Sequence, residues 1–218
     1  MIARVIYLHG FASSAQSSKA QFFAARFAEL GLPMVTPDLN APDFSTLTVT
    51  RMLGEVGRTI AQGAPGPVVL MGSSLGGFLA WHAAARLAAV PDYPVSQLVL
   101  MAPAVTFGRT RQDDFGLGVI DAWERNGTRD FFHYGDNALR PLHYEFYRDA
   151  LTYPADDAQV QVPTLVFQGM QDEVVKPQGV IDFCQGRPNV SLRLLQDGHQ
   201  LQAHLDEMWL DTRAFLGC

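Results

Sequence analysis

The chain has 218 residues, of which 48% are hydrophobic and 17% charged, a composition typical of a globular domain with a sizeable core. Its 16 basic and 22 acidic residues give a net charge of −6, which argues against nucleic acid as a partner. The sequence contains no apolar run of the length that spans a membrane, and its first residues lack the pattern of a secretory leader. We therefore expect a soluble, cytoplasmic protein with no membrane span.

The cysteines and glycines argue against bound metals and nucleotides. Cys184 and Cys218, the two cysteines, have neither metal-ligand spacing nor the pattern of a disulfide framework. No glycine-rich loop is followed by the lysine of a phosphate-binding loop. We expect no metal and no cofactor, and the oligomeric state remains undetermined by the sequence.

Short apolar runs rich in β-branched residues recur along the chain, and each is bounded by Gly, Pro, Asn or Asp, which is typical of buried strands. These runs are Arg4–Leu8, Met34–Thr36, Val68–Met71, Leu98–Met101, Thr164–Phe167 and Val190–Leu194. Helical patterns fill the intervals, beginning with a capping box of Ser18 and Gln21 that predicts a helix to Leu30. Strands alternating with helices predict a single α/β domain over residues 1–218, with a mostly parallel twisted sheet and helices on both faces.

The sharpest motif is Gly72-Ser73-Ser74-Leu75-Gly76, which directly follows a predicted strand and precedes a predicted helix. Gly-x-Ser-x-Gly in this setting is typical of a nucleophile elbow, in which the serine occupies a strained turn. The glycines let the strand and the helix approach without a Cβ clash. The motif predicts that Ser74 is a nucleophile; the alternative is an ordinary turn between a strand and a helix.

The connection between the strands ending near Met101 and starting at Thr164 is unusually long and aromatic. We expect a helical cap insertion at about 104–160 that covers a pocket, because it leaves the carboxyl end of a parallel strand beside the usual ligand crevice. The alternative is a helical layer that only packs on the body. Four of its aromatic residues are the expected substrate contacts, namely Trp123, Phe131, Phe132 and Tyr144.

A serine hydroxyl needs a base that a third group orients. In proteins with this elbow the acid follows the serine and the histidine comes last. Asp172 follows the strand Thr164–Phe167, and His199 lies between the last predicted strand and the final helix. We expect Asp172 to orient His199 as the general base, with His204 as the alternative base.

The remaining candidates fit these two roles less well. Glu173 is expected to point away from the base, and Asp197 is too close to His199 in sequence. The other four histidines precede the elbow, lie in the helix after it or belong to the insertion, and we expect them to be structural: His9, His82, His133 and His143.

Acyl transfer also needs two backbone donors for the developing oxyanion. The N–H of Leu75, directly after the nucleophile, is one candidate, and the N–H of Phe11, in the loop after the first strand, is the other. His9 is expected to pack and orient this loop. Lys19, one of two lysines, is expected to be solvated or bonded to the serine-rich loop.

Together these motifs resemble the α/β-hydrolase superfamily over the whole chain, and within it the small bacterial esterases of the YqiA/YcfP type. The elbow and the order of the three catalytic residues carry the wider resemblance. The narrower one depends on His9-Gly10-Phe11 with Ser13, Ser14, Ser18, Lys19 and Ala20, on Gly169 with Asp172-Glu173-Val174-Val175, and on Gly198-His199. The resemblance implies the α/β-hydrolase fold and hydrolysis of a small-molecule ester or thioester without a cofactor.

We therefore expect a serine carboxylesterase that works through an acyl-enzyme intermediate. One alternative is a thioesterase or an amidase or peptidase that uses the same three residues. The other is a non-catalytic binding protein on this fold, against which the complete set of Ser74, Asp172 and His199 argues.

Overall fold

The structure is a computed structural model that describes residues 2–87, 94–108, 115–116 and 118–218. The strands in chain order are β1 (Arg4–Leu8), β2 (Met34–Val35), β3 (Val68–Ser73), β4 (Val95–Met101), β5 (Thr128–His133), β6 (Ala138–His143), β7 (Thr164–Gly169) and β8 (Val190–Leu195). The helices are α1 (Ser18–Glu29), α2 (Val49–Gln62), α3 (Leu75–Leu87), α4 (Val119–Asn126), α5 (Glu145–Ala150), α6 (Pro177–Cys184) and α7 (Leu205–Leu216). Two 3₁₀ turns lie at Phe44–Thr46 and Gln202–His204.

Within the described residues, six strands form the main sheet in the order β2-β1-β3-β4-β7-β8. Every neighbouring pair in this sheet is parallel. Each of the six predicted runs contributes one of these strands, so the predicted parallel α/β sheet is confirmed.

The two faces of the sheet carry separate hydrophobic cores because successive side chains of a strand point to opposite sides. Ile6 and Leu8 of β1 pack on the side covered by α2, α3 and α6. Val5 and Tyr7 pack on the other side, under α1 and α7. The predicted helices on both faces are therefore present.

Helix α1 begins one residue away from the predicted cap. The side-chain oxygen of Ser17, not of Ser18, accepts the hydrogen bond from the backbone N–H of Ala20. The predicted capping box was therefore wrong by one position, because the run of neighbouring serines offers two equivalent caps in the sequence. Gly31, at φ 68°, follows the end of the helix, as predicted.

The parallel arrangement places the predicted functional residues at one edge. The loop with Phe11 follows β1, Ser74 follows β3, Asp172 follows β7 and His199 follows β8. Since β1 neighbours β3 and β7 neighbours β8, the loops after these strands lie side by side in two pairs at the carboxyl ends of the strands.

The insertion between β4 and β7 contains helices α4 and α5, but also an antiparallel hairpin of β5 and β6. The expectation of a purely helical cap missed this hairpin. Aromatic residues and threonine in β5 favour an extended chain, and the turn after it ends at Asn137, which adopts φ 51°.

Several hydrogen bonds among the described residues fasten the insertion to the body. The backbone N–H of Tyr134 donates to the carbonyl of Ala12 at 2.7 Å, and Thr50 at the start of α2 bonds the carboxylate of Asp149. The buried side chains of Trp123 and Phe146 belong to the same hydrophobic core as α2 and α3. The insertion therefore packs tightly beside the loop after β1.

None of the described helices is both long and apolar enough to cross a bilayer.

Candidate active site

Ser74 occupies the turn between β3 and α3 and adopts φ 55°, a left-handed conformation that is strained for a residue with a side chain. Hydrogen bonds to the neighbouring strand end hold this turn. Its N–H donates to the carbonyl of Met101 at 2.9 Å, and its carbonyl accepts from the N–H of Ala104 at 3.1 Å. The elbow geometry predicted from the motif is present.

The glycines of the motif are required by close backbone approach. A Cβ at Gly72 would collide with the backbone of Gly76, and one at Gly76 would collide with the carbonyl of Leu8. The first turn of α3 therefore packs directly against the ends of β1 and β3, which explains why the elbow needs glycine at both positions.

The His199 imidazole and the Asp172 carboxylate form the central contact of the site. Nδ1 of His199 lies 2.8 Å from Oδ2 of Asp172, a distance typical of a charge-assisted hydrogen bond. The other oxygen of Asp172 accepts from the backbone N–H groups of Val174 at 2.9 Å and Val175 at 2.8 Å. The carboxylate is thus held in one orientation toward the imidazole.

The pKa of Asp172 lies below its ordinary value. Burial raises this pKa, but the hydrogen bond and charge of His199 and the two backbone donors lower it by more. The Asp172 carboxyl group therefore stays ionised at neutral pH, the state in which it accepts the imidazole N–H.

The loops that carry these two residues are bonded to each other. The N–H of Met170 donates to the carbonyl of Leu195, and the N–H of Gln171 donates to the carbonyl of Asp197. Gly169 is required here because a Cβ at this position would collide with the backbone of Asp197. The close packing of the two loops fixes the distance between acid and imidazole.

Gln168, the penultimate residue of β7, is a site residue that sequence reasoning missed. Its side chain is completely buried, and its Nε2 lies 3.2 Å from Oδ2 of Asp172 and 3.1 Å from the carbonyl of Val175. The signal in the sequence was a glutamine inside an otherwise apolar strand, four residues before the candidate acid.

His199 and Ser74 line the same cavity, which has a volume of about 670 Å³. The remaining lining includes many polar residues, among them the serines at 13–18, Lys19, Tyr134 and Gln200. The predicted base and the predicted nucleophile therefore face one space, although two strands, β4 and β7, separate β3 from β8 in the sheet.

A second, smaller cavity of about 160 Å³ also opens at Ser74. Its lining is mostly apolar and includes the rings of Phe107, Phe115 and Phe146, all from the insertion. The insertion therefore contributes aromatic side chains next to Ser74.

The aromatic residues predicted to bind substrate lie elsewhere. Trp123 is buried and donates from Nε1 to the carbonyl of Leu142 at 2.9 Å. Phe131 packs edge-on against Phe11, and Phe132 is exposed beside Tyr134. Tyr144 precedes α5. Neither cavity at Ser74 is lined by these four side chains, because aromatic content alone did not indicate which ring faces inward.

The two candidate oxyanion donors lie beside Ser74. Leu75 is the first residue of α3, so its N–H has no partner within the helix, and Phe11 lines both cavities together with Ser74. A Cβ placed on Gly10 would lie 3.5 Å from the Cβ of Ser74, which shows how closely this loop approaches the nucleophile.

His9 holds the loop after β1, as the sequence analysis expected. Its Nδ1 lies 2.9 Å from the carbonyl of Gly10, and its Nε2 accepts from the N–H of Leu39 at 3.1 Å. Burial lowers the pKa of this imidazole, which matches a neutral ring that donates at one nitrogen and accepts at the other.

His204, the alternative base, is bonded to a different carboxylate. Its Nδ1 lies 3.1 Å from Oδ2 of Asp197, and His204 is not among the residues that line the two cavities at Ser74. Glu173 is exposed, in agreement with the expectation that it points away.

Lys19 is neither solvated nor bonded to the serine-rich loop, the two environments that were expected for it. The side chain is buried, with the residue 5% exposed, and its Nζ donates to the carbonyl of Gln200 at 2.8 Å. Burial lowers the pKa of the ammonium group to about 8, while the charges of Asp172 and Asp197 act in the opposite direction. Lys19 therefore ties α1 to the residue that follows His199.

A parallel sheet that runs through a Gly-x-Ser-x-Gly elbow into a helix defines the α/β-hydrolase fold, and comparisons with solved structures show the same class. A protein from Agrobacterium vitis S4 is 25% identical, with a TM-score of 0.85 over 97% of this chain and 87% of that one. Est1E from Butyrivibrio proteoclasticus is 20% identical, with a TM-score of 0.81 over 99% and 87%. Mouse α/β hydrolase domain-containing protein 10 is 22% identical, with a TM-score of 0.77 over 98% and 89%.

The chain belongs to the uncharacterised protein family UPF0227, whose family model matches residues 4–208. A comparison with curated proteins found no match. The family match and the shared fold confirm the resemblance drawn from the sequence motifs.

Proposed function

We propose that the protein is a serine hydrolase that cleaves carboxylic esters through an acyl-enzyme intermediate. The observation that carries this proposal is one cavity lined by both Ser74, in a strained elbow, and His199, whose imidazole bonds the buried carboxylate of Asp172. A nucleophile, a base and an orienting acid are the groups that acyl transfer requires.

In the first step, Oγ of Ser74 attacks the acyl carbon while Nε2 of His199 takes the hydroxyl proton. The imidazolium that forms is stabilised by Asp172, which stays ionised because its hydrogen bonds outweigh the effect of burial. The carbonyl oxygen gains negative charge and accepts hydrogen bonds from the N–H groups of Leu75 and Phe11. Each such donor contributes roughly 3 kcal/mol to the stability of the transition state.

The tetrahedral intermediate then collapses. The bond from the acyl carbon to the alcohol oxygen breaks, and the proton on His199 passes to that oxygen. Water enters, His199 takes one of its protons, and the hydroxide adds to the acyl carbon. Release of the carboxylic acid returns the proton to Ser74, so that the enzyme is regenerated.

The test is hydrolysis of p-nitrophenyl esters from acetate to palmitate by the wild type and by Ser74→Ala. We expect the variant to lose at least about 10³-fold in kcat. Ser191→Ala provides a matched control, because Ser191 is an exposed residue of β8. A fluorophosphonate probe followed by peptide mapping is expected to label Ser74.

Three outcomes would overturn the proposal in whole or in part. Ester hydrolysis that persists in Ser74→Ala would assign the activity to another group. Activity on thioesters or amides alone would retain the nucleophile but replace the ester assignment. A wild-type protein that hydrolyses none of these substrates and is not labelled would support a binding role instead.

A further inference from the structure

The two cavities at Ser74 differ sharply in chemistry. Both are lined by Phe11, Ser74 and Val174. Beyond these residues, phenylalanine rings of the insertion form much of the wall of the smaller cavity, which Thr106 and Lys176 also line. The larger cavity is lined by hydroxyl and amide side chains of residues 13–18 and of Gln200. A substrate that reacts at Ser74 therefore has one half in each environment.

The residues that line only one of the two cavities indicate which half of the substrate each cavity holds. His199 lines only the larger cavity, and Leu75 lines only the smaller one. If the proposed function holds, His199 gives its proton to the leaving oxygen, so the alcohol half must lie on the His199 side. The acyl half then extends past Leu75 and Phe11 into the smaller cavity.

The volume of the smaller cavity limits the acyl group. A closed apolar cavity of about 150 Å³ accommodates one benzene molecule, and this cavity has about 160 Å³. It therefore suits an acyl group the size of a single ring or of a chain of about six carbons. The lining is mostly apolar and therefore favours an apolar group.

The lining of the larger cavity limits the alcohol. The hydroxyl groups of Ser14 and Ser18 accept hydrogen bonds from protein groups, so each still has its own proton to donate. The side-chain amides of Gln16 and Gln200 add both donors and acceptors. Such a surface matches neutral hydroxyl groups, which also donate and accept.

An anionic alcohol would need a cation that is free to pair with it. Lys19 is the only lysine or arginine that lines this cavity within the described residues. Two of the three N–H groups of its Nζ are directed at the carbonyl of Gln200 at 2.8 Å and at the side-chain oxygen of the same residue at 3.4 Å, and Lys19 is only 5% exposed to the cavity or to solvent. The cavity therefore favours a neutral alcohol over a phosphate or a coenzyme A thioester.

We propose that the natural substrate is an ester that joins a compact apolar acyl group to a neutral polyhydroxylated alcohol such as glycerol or a sugar. The acyl group occupies the cavity of Phe107, Phe115 and Phe146. The alcohol occupies the serine-rich cavity beside His199. This inference rests on the proposed function and adds the substrate class to it.

The first experiment holds the acyl group constant and changes the alcohol. Ethyl hexanoate, 1-monohexanoyl glycerol and hexanoyl coenzyme A are compared by kcat/KM. We expect the glycerol ester to exceed the ethyl ester by about tenfold, as two or three added hydrogen bonds would produce. An ethyl ester or a coenzyme A thioester that equals or exceeds the glycerol ester would overturn the assignment of the alcohol.

A variant links this preference to the serine-rich loop. In Ser13→Ala combined with Ser14→Ala, the ratio of glycerol ester to ethyl ester is expected to fall to less than about threefold. Ser191→Ala, on an exposed part of β8, is the matched control and is expected to keep the ratio. An unchanged ratio in the double variant would contradict the assignment.

The second experiment tests the acyl half with glycerol esters from acetyl to palmitoyl. We expect the best kcat/KM near six carbons in the wild type and near eight in Phe107→Leu, which removes ring volume from the smaller cavity. Phe22→Leu is the matched control, because Phe22 lies on α1 and packs against Phe23. A wild-type optimum at palmitoyl, or a Phe107→Leu optimum at six carbons, would overturn the acyl assignment.

The experiments distinguish an error in the proposed function from an error in the substrate class. If hydrolysis does not depend on Ser74, the proposed function itself is wrong. If hydrolysis requires Ser74 but shows no preference for a polyhydroxylated alcohol or a compact acyl group, the serine hydrolase remains and only the substrate class is wrong.

Discussion

His199 and His204 lie within a few residues of each other, and each is bonded to an aspartate, yet the two His–Asp pairs have different surroundings. Both use Nδ1 of the histidine and Oδ2 of the aspartate, at 2.8 Å for His199–Asp172 and 3.1 Å for His204–Asp197. The Asp172 side chain is 0% exposed, whereas that of Asp197 is 16% exposed. Only His199 lines the cavity of Ser74. A His–Asp bond alone therefore does not identify a base; its position relative to the nucleophile does.

The second pair supports the first. Besides bonding His204, the carboxylate of Asp197 accepts from the backbone N–H groups of Gly198 and Ala203. These bonds close the loop that carries His199. The His204–Asp197 pair therefore holds the loop, and His199 of the other pair lines the cavity of Ser74.

Replacing the two histidines separates these roles most clearly. We expect His199→Ala to lower kcat by about 10⁴-fold to 10⁶-fold, as loss of the base does in serine hydrolases. His204→Ala is expected to change kcat by less than about tenfold, because His204 does not line either cavity at Ser74. Ester hydrolysis by both variants measures the difference, and a larger loss in His204→Ala would reverse the assignment.

Replacing Asp172 is likewise expected to lower kcat more than replacing Asp197, although the difference is smaller than for the two histidines. Asp172→Asn keeps the shape of the side chain but favours the wrong imidazole tautomer, which costs about 10⁴-fold in kcat. Asp197→Asn is expected to retain most of the activity. Equal losses in the two variants would show that both carboxylates act on the same base.

The placement of Ser74, Asp172 and His199 at one edge of the sheet could be predicted from the sequence. Ser74, Asp172 and His199 follow strand ends, and parallel strands bring such ends to one edge of a sheet. Glycines at 72 and 76 were predicted for close packing, and the backbone contacts explain them.

The residues that shape the site could not be predicted, because their roles depend on distant contacts. Lys19 reaches Gln200 from the far end of the sequence, and Gln168 meets Asp172 only through the fold of its loop. The insertion contains many rings, and tertiary packing alone decides that Phe107 lines a cavity while Phe132 faces outward.

The charges of both aspartates, Asp172 and Asp197, act on the buried Lys19, so its protonation offers a test of the surroundings of the two pairs. Its ordinary pKa of 10.5 is lowered to about 8 in the folded protein, mainly by burial. Between these values the unfolded chain binds the proton and the folded protein does not, so the free energy of unfolding rises with pH. From pH 8 to pH 9.5 this contribution is about 2 kcal/mol.

Urea unfolding of the wild type and of Lys19→Met over this pH range isolates the effect. Other groups titrate in both proteins, so only the difference between the two free energies is interpreted. The wild type is expected to gain stability relative to Lys19→Met as the pH rises. Parallel curves would show that the ammonium group is not buried between the two pairs.

The smallest expected effect belongs to the loop that carries both histidines. Asp197→Ala removes a carboxylate that accepts two backbone N–H bonds and a bond from His204. Because the side chain is partly exposed, water replaces part of this bonding, and we expect a loss of about 1 kcal/mol in the free energy of unfolding. Urea unfolding measures this loss, and Asp206→Ala, at an exposed position with one surface ion pair, is the matched control. Equal stability of the two variants would mean that the 197–204 loop is held by other contacts, and that the second His–Asp pair contributes nothing to the position of the first.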